Sequence, residues 1–210
     1  MKDKKIQNIL QFYKLANKLK YIVRTGWKQW AVSSERVESV AEHIYSTIML
    51  AIAVNSELGS KLPPIDIKKT IFMLAVHELR EILVGDIGPY DPVNKKLLQK
   101  NEQQALTQIL KPLAAKKEIE ALLCEFEQGK TNEAKFARQI DKLDAGLQCK
   151  LYDTEGFIDA SKIHPEDKQK FLESGPQNPS DYWLERCIKI HGFDDIFTQI
   201  AKEAKDDKNW

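Results

Sequence analysis

The chain has 210 residues, 30% charged and 42% hydrophobic, and its 32 Lys plus Arg nearly balance its 31 Asp plus Glu for a net charge of +1. This suits one folded domain with a substantial core and excludes a disordered chain. The charge balance argues against a nucleic-acid polymer as partner, which calls for a basic excess, and the lack of any run of about 18 apolar residues argues against a membrane.

The first eleven residues mix Lys and Asp with Ile and Leu, without the apolar stretch of a secretory signal. Cys124, Cys149 and Cys187 are scattered and odd in number, which suits reduced thiols buried as small core residues in a cytoplasmic protein. Strand signals are weak throughout. Ile6, Ile9, Leu10, Tyr13, Ala16 and Leu19 recur at helical spacing and predict a first helix. Ser39 with Glu42 three residues later is a capping box, and Val40, Ile44, Ile48, Ala51 and Asn55 continue its helix towards a C-cap at Gly59. A third helix is expected from Pro64 or Asp66 to Gly85. It contains six consecutive apolar residues, 71–76, and is therefore central. A Gly- and Pro-containing loop spans 85–92. Further helices are expected over 95–110, 117–127, 133–152 and 182–191. The segment 161–180 reads as a connector with one short helix, and 202–210 as a fraying end. The fold class is all-α, a single-domain helical bundle.

The chain has four histidines, His43, His77, His164 and His191. His77 and Glu78 directly follow the apolar run, with Arg80 and Glu81 close behind. Burying an unpaired carboxylate costs several kcal/mol, on the order of the charge's own desolvation, so such groups need partners or a metal. His77 and Glu81 are four apart and share a helix face, and Glu78 lies one position round from His77. Gly85 breaks the helix and lets Asp86 fold back towards the same pocket. His43 sits in the first turn after its capping box. Asp141 lies on a polar stripe with Ala137, Asp144 and Gln148, beside the apolar stripe Phe136, Ile140, Leu143, Leu147 and Leu151. Two imidazoles and two carboxylates from three helices suit a divalent cation with positions left open. The plainer reading makes Glu78, Arg80 and Glu81 a solvated face and the histidines hydrogen-bonded core groups. Against it stands the apolar run before His77, which leaves little room for a wet face.

The order His43, His77-Glu78, Asp141 resembles the ligand pattern of HD-domain metal-dependent phosphohydrolases. Segments 24–27 (Arg-Thr-Gly-Trp), 38–43, 81–87 and 141–143 are similar to the 5′-deoxynucleotidase branch. The similarity covers about residues 5–155, with 156–210 as a C-terminal helical extension of one HD-type domain over 1–210. The resemblance implies a homodimer that releases phosphate from a small nucleotide, a deoxynucleoside 5′-monophosphate, with a divalent metal held by His43, His77, Glu78 and Asp141. It makes Glu81 and Asp86 the catalytic acids, Glu81 acting on water and Asp86 on the leaving 5′-oxygen. Arg24, Trp27 and Lys142 would contact the substrate. Two-metal relatives need further histidines between the second and last ligands. This chain has none there, which implies one ion: Mn, Co, Zn, Mg or Fe(II). Glu78 stands where the family carries Asp, one methylene shorter. A second reading follows from that residue, a catalytically weakened or inactive protein that binds a nucleotide or other small phosphorylated ligand; Glu81 and Asp86 count against it. Trp27, Trp30 and Tyr90 are open both to base stacking and to core or rim positions.

Overall fold

The computed structural model describes residues 3–88, 90–92, 94–176, 178–208 and 210. Expectations that touch Met1, Pro89, Gln177 and Asn209 fall outside them. Helices run over Lys4–Ala16 (α1), Thr25–Gln29 (α2), Val40–Leu58 (α3), Ile67–Val76 (α4), Glu81–Val84 (α5), Lys95–Leu110 (α6), Lys116–Gln128 (α7), Asn132–Thr154 (α8), Pro165–Ser174 (α9), Pro179–Ile190 (α10) and Asp195–Asp206 (α11). Among the described residues no strand forms, and the antiparallel bridges Val23–Ser39 and Val32–Ile158 are isolated. The all-α expectation stands.

The 23-residue α8 is the axle of the fold, packed by α3, α4, α7, α10 and α11. Its apolar stripe supplies Phe136, Ile140 and Leu143, which meet Met73 and Leu74 of α4, Leu184 of α10 and Phe197 of α11. Each such side chain contributes roughly 1.5–3 kcal/mol by leaving water. The capping box forms as expected. Glu42 accepts the Ser39 N–H at 2.6 Å, and Ser39 Oγ accepts the Glu42 N–H at 3.2 Å. This start fixes His43 in the first turns of α3, fully buried. Gly59 caps α3 in a right-handed conformation, and a 3-10 turn Gly59–Lys61 follows.

Four expectations change. The helix expected up to Gly85 is two helices. His77 Nδ1–H donates to the Leu74 carbonyl at 2.6 Å, the acceptor that the Glu78 N–H would use in a continuing α-helix. The chain answers with i→i+3 bonds, Leu79 N–H to Val76 O at 3.1 Å and Glu81 N–H to Glu78 O at 3.1 Å, before α5 forms. Gly85 then ends α5 at φ +78°, a conformation that favours glycine. In α1, Ile6, Ile9, Leu10 and Tyr13 are exposed and Phe12 and Leu15 face the core instead, while Leu19 of the expected face is buried in the 3-10 turn Asn17–Tyr21 that follows. The connector holds one short helix, α9, as expected, and α10 opens within it; each starts with a proline in the first turn, where its missing N–H costs nothing. The C-terminal segment does not fray up to Asp206: Ala201 and Ala204 are buried and Lys205 Nζ meets Glu185 at 2.7 Å. Cys149 and Cys187 are buried as expected, whereas Cys124 is exposed.

Candidate metal centre

The turn after α4 brings His77 and Glu78 against His43 of α3 and Asp141 of α8. His43 Nε2 lies 3.2 Å from Asp141 Oδ1 and 3.9 Å from Glu78 Oε1; His77 Nε2 lies 3.5 Å from Glu78 Oε1 and 3.9 Å from Asp141 Oδ1. One donor atom from each of the four lies within 4.8 Å of every other. These gaps suit donors that share one cation at about 2.0–2.2 Å each.

The imidazoles are held in the tautomer such a site needs. His43 Nδ1–H donates to Asp144 Oδ2 at 2.8 Å, and His77 Nδ1–H donates to the Leu74 carbonyl. Both Nε2 atoms are buried and have no hydrogen-bond partner. Two orphaned buried lone pairs facing two carboxylates are costly as they stand and are satisfied by a cation. The donor set therefore fits a divalent metal.

Charge around the centre is dense. Arg24 Nη1 lies 3.5 Å from Glu78 Oε1 and its Nε 3.9 Å from Glu38 Oε1. Burial opposes the Arg24 charge, but Glu78, Asp141, Glu38 and Asp86 more than offset it. Burial likewise opposes ionisation of Asp141, yet His43, Lys142 and His77 hold it well below its ordinary value. Its Oδ1 faces the imidazoles while Oδ2 meets Lys142 Nζ at 2.8 Å. Glu81 lies beside Glu78 with Oε2 buried and unpartnered, and burial, then Glu78 and Asp86, push its carboxyl up to about 9. Asp86 does fold back after Gly85: its Oδ2 accepts the Thr25 hydroxyl at 2.7 Å and the Thr25 backbone N–H. Of the charged group on the α4–α5 turn, only Arg80 matches the solvated-face reading, paired outward with Glu127.

A cleft with a cavity volume of about 240 Å³ adjoins the centre, lined by Arg24, Trp27, Asp86, Asp141, Lys142 and Trp183 among others. Trp27 is only 3% exposed, and its indole N–H donates to Glu38 Oε1 at 2.7 Å. Trp30 is core, 2% exposed and stacked on Tyr182 at 5.2 Å, and Tyr90 stacks on His164 at 4.3 Å. Neither lines the cleft; of the three aromatics weighed from sequence, Trp27 alone does. A larger cavity of about 540 Å³ lies beyond Lys142 and touches none of the four converging donors.

Sequence reasoning gave no role to Glu38, to Asp144 on its polar stripe, or to Trp183 and Arg186. Asp144 had a usable signal, its i+3 spacing from Asp141 on one face of α8. The α10 residues had none, because only the tertiary packing of α10 on α8 brings them to the cleft.

A family model described as HD domain matches residues 16–174. The chain belongs to the HD-domain family. This HD-domain chain is 36% identical over 173 residues to the 5′-deoxynucleotidase HDDC2 of Dictyostelium discoideum, covering 80% of this chain and 88% of that protein. It is 33% identical over 149 residues to the 5′-deoxynucleotidase HDDC2 of Homo sapiens, covering 70% and 69%. Among solved structures, a conserved hypothetical protein from Pyrococcus furiosus aligns with TM-score 0.60 at 28% identity over 79% of this chain and 94% of that one. A Magnetospirillum magnetotacticum protein described as a predicted metal-dependent phosphohydrolase aligns with TM-score 0.63 over 96% of this chain and 91% of that one; at 21% identity the likeness is one of fold.

Proposed function

We propose that this HD-domain protein is a divalent-metal-dependent phosphomonoesterase that releases phosphate from a nucleoside 5′-monophosphate, foremost a deoxynucleotide. The observation that carries this reading is the pair of buried, unpartnered Nε2 atoms turned towards Glu78 and Asp141. The relatives named 5′-deoxynucleotidase support the substrate class.

His43, His77, Glu78 and Asp141 would hold the metal. We assign one ion, because His164 stacks on Tyr90 and the group of four converging donors includes neither it nor His191. The mixed nitrogen and oxygen set suits Mn, Co, Zn, Mg or Fe(II). When bound, a divalent cation neutralises phosphate charge and acidifies a water. Arg24, beside Glu78, extends its guanidinium towards the phosphate, and Lys142, paired to the outer oxygen of Asp141, steadies a phosphate oxygen. Glu81, beside Glu78 with Oε2 free of any partner, orients or deprotonates the attacking water. Asp86, fixed by Thr25, delivers a proton to the leaving 5′-oxygen. Trp27 contacts the nucleoside.

The same reading makes residues 1–210 one HD-type domain acting in the cytoplasm. No helix among the described residues is long and apolar enough to cross a membrane. It also makes the protein a homodimer. Exposed Ile6, Ile9, Leu10 and Tyr13 on α1, and Tyr45, Met49 and Ile52 along one side of α3, offer apolar surface for a second copy.

Glu78 favours a second reading, a protein that binds a nucleotide or other phosphorylated ligand without turning it over. Phosphate release from deoxynucleoside and ribonucleoside monophosphates, with each of the five metals in turn, tests both. Metal-dependent release, fastest on a deoxynucleotide, is expected. Calorimetric binding of the same ligands without release under any metal establishes the second reading.

A further inference from the structure

The C-terminal helix α10 turns two polar groups into the substrate cleft that neither the family pattern nor the mechanism above uses. The family match ends at residue 174, before α10 begins. Trp183 and Arg186, i and i+3 on that helix, both line the cleft. Trp183 Nε1 and Arg186 Nε are buried without a hydrogen-bond partner, and Arg186 forms no ion pair among the described residues. The guanidinium carbon stands 5.7 Å from the Trp183 ring centre, and Trp183 leans on Trp27 at 5.0 Å. Such groups are donors only, and a buried donor left unpaired is costly unless a ligand supplies an acceptor.

We propose that Trp183 and Arg186 form the base-recognition wall of this cleft, donating from the indole N–H and the guanidinium to carbonyl oxygens and ring nitrogens along the edge of a nucleobase. This rests on the nucleotide reading above. Arg24 and Lys142 stand at the Asp141 end of the cleft, where the phosphate is assigned, which leaves the Trp183 and Arg186 end to the rest of the nucleotide. A nucleobase brings neutral acceptors together with a π-face, the combination an indole beside a guanidinium receives. The cleft's volume of about 240 Å³, continuous with the Asp141 end, leaves space for the nucleoside once the phosphate sits at the metal.

The test compares four deoxynucleoside monophosphates with 2-deoxyribose 5-phosphate, which keeps the sugar and phosphate and lacks the base. The full-length protein, Arg186→Ala, Arg186→Lys and Trp183→Phe are loaded with cobalt. Both the Kd from calorimetry and kcat/KM from phosphate release are read. For Arg186→Ala the preference for nucleotide over the base-free ester falls about tenfold or more, as expected for a charge-assisted bond. Arg186→Lys restores part of that preference, and Trp183→Phe lowers it by losing the N–H. Equal losses on both ligands overturn the proposal and place Arg186 at the phosphate or in the scaffold. No loss on either overturns it too. A wild-type protein that binds nucleotides without releasing phosphate defeats the nucleotidase reading alone, and the ratio of Kd values still decides the wall. A wild-type protein that binds neither ligand defeats both.

Discussion

Asp144 Oδ2 accepts the Nδ1–H of His43 at 2.8 Å, both groups buried, so the carboxylate sets the direction in which the opposite ring nitrogen presents its lone pair. Asp144 itself is not one of the four converging donors. It acts through the imidazole, both by fixing the tautomer and by raising the ring's basicity.

Replacing Asp144 by Asn or Ala therefore weakens metal binding, by about 10- to 100-fold on the usual scale for such carboxylates, with Ala the worse. Cobalt titration followed by visible absorption measures it, and Asp144→Glu recovers part of the loss. A cobalt affinity equal to wild type in a folded Asp144→Ala protein contradicts the role.

Glu81→Gln keeps the metal and loses turnover. The substitution removes a proton acceptor without touching the four donors, and a general base contributes about 10²–10⁴-fold. Elemental analysis should find the same metal content as wild type, and phosphate release should fall by about that factor. Undiminished turnover would remove Glu81 from the mechanism.

Gly146 is a close approach of α8 and α10: a Cβ there meets Leu184 Cδ2 at 3.0 Å and Cys187 Sγ at 3.2 Å. Gly146→Leu overpacks this seam and lowers stability by about 1–3 kcal/mol. It pushes α10 outward, so nucleotide affinity should suffer more than cobalt affinity. Parallel calorimetry of the two ligands checks the difference; equal losses would mean that α10 and the metal donors respond as one unit.

Leu143, fully buried between α4 and α10 in the main core, is a pure packing residue. Leu143→Ala should cost about 2–5 kcal/mol in urea unfolding, with the m-value unchanged.

The capping box gives stability a defined acid limb. The Ser39 backbone and hydroxyl donors hold the Glu42 carboxyl below its ordinary value of 4.5. Since the folded value is the lower one, the stabilisation is fully present above the ordinary value and is lost as the pH falls through the lowered one. Ser39→Ala should cost about 1 kcal/mol at neutral pH. The cost should shrink in acid unfolding measured below pH 4.5.

Much of this could be read in the chain because local rules and tertiary demands agree. Ser39 and Glu42 announce the start of α3, and so the position of His43. The Phe136, Ile140 and Leu143 stripe announces the buried side of α8, with Asp141 beside it. The turn at His77 was illegible: 71–76 reads as uninterrupted helix, and only the ring's capture of the Leu74 carbonyl ends it. In α1 two apolar stripes compete, and nothing local tells Phe12 and Leu15 from Ile6, Ile9 and Leu10. Arg186 and Trp183 belong to an amphipathic helix like many others until α10 docks beside Gly146.

The order of parts along the chain has a biosynthetic corollary. All four donors have been made once Asp141 is added, whereas Trp183 and Arg186 follow about forty residues after it, roughly two to eight seconds at ordinary elongation rates. Translation thus supplies the ion's ligands before the residues of the nucleoside's seat, and the core that holds both closes only when α10 and α11 add Leu184 and Phe197.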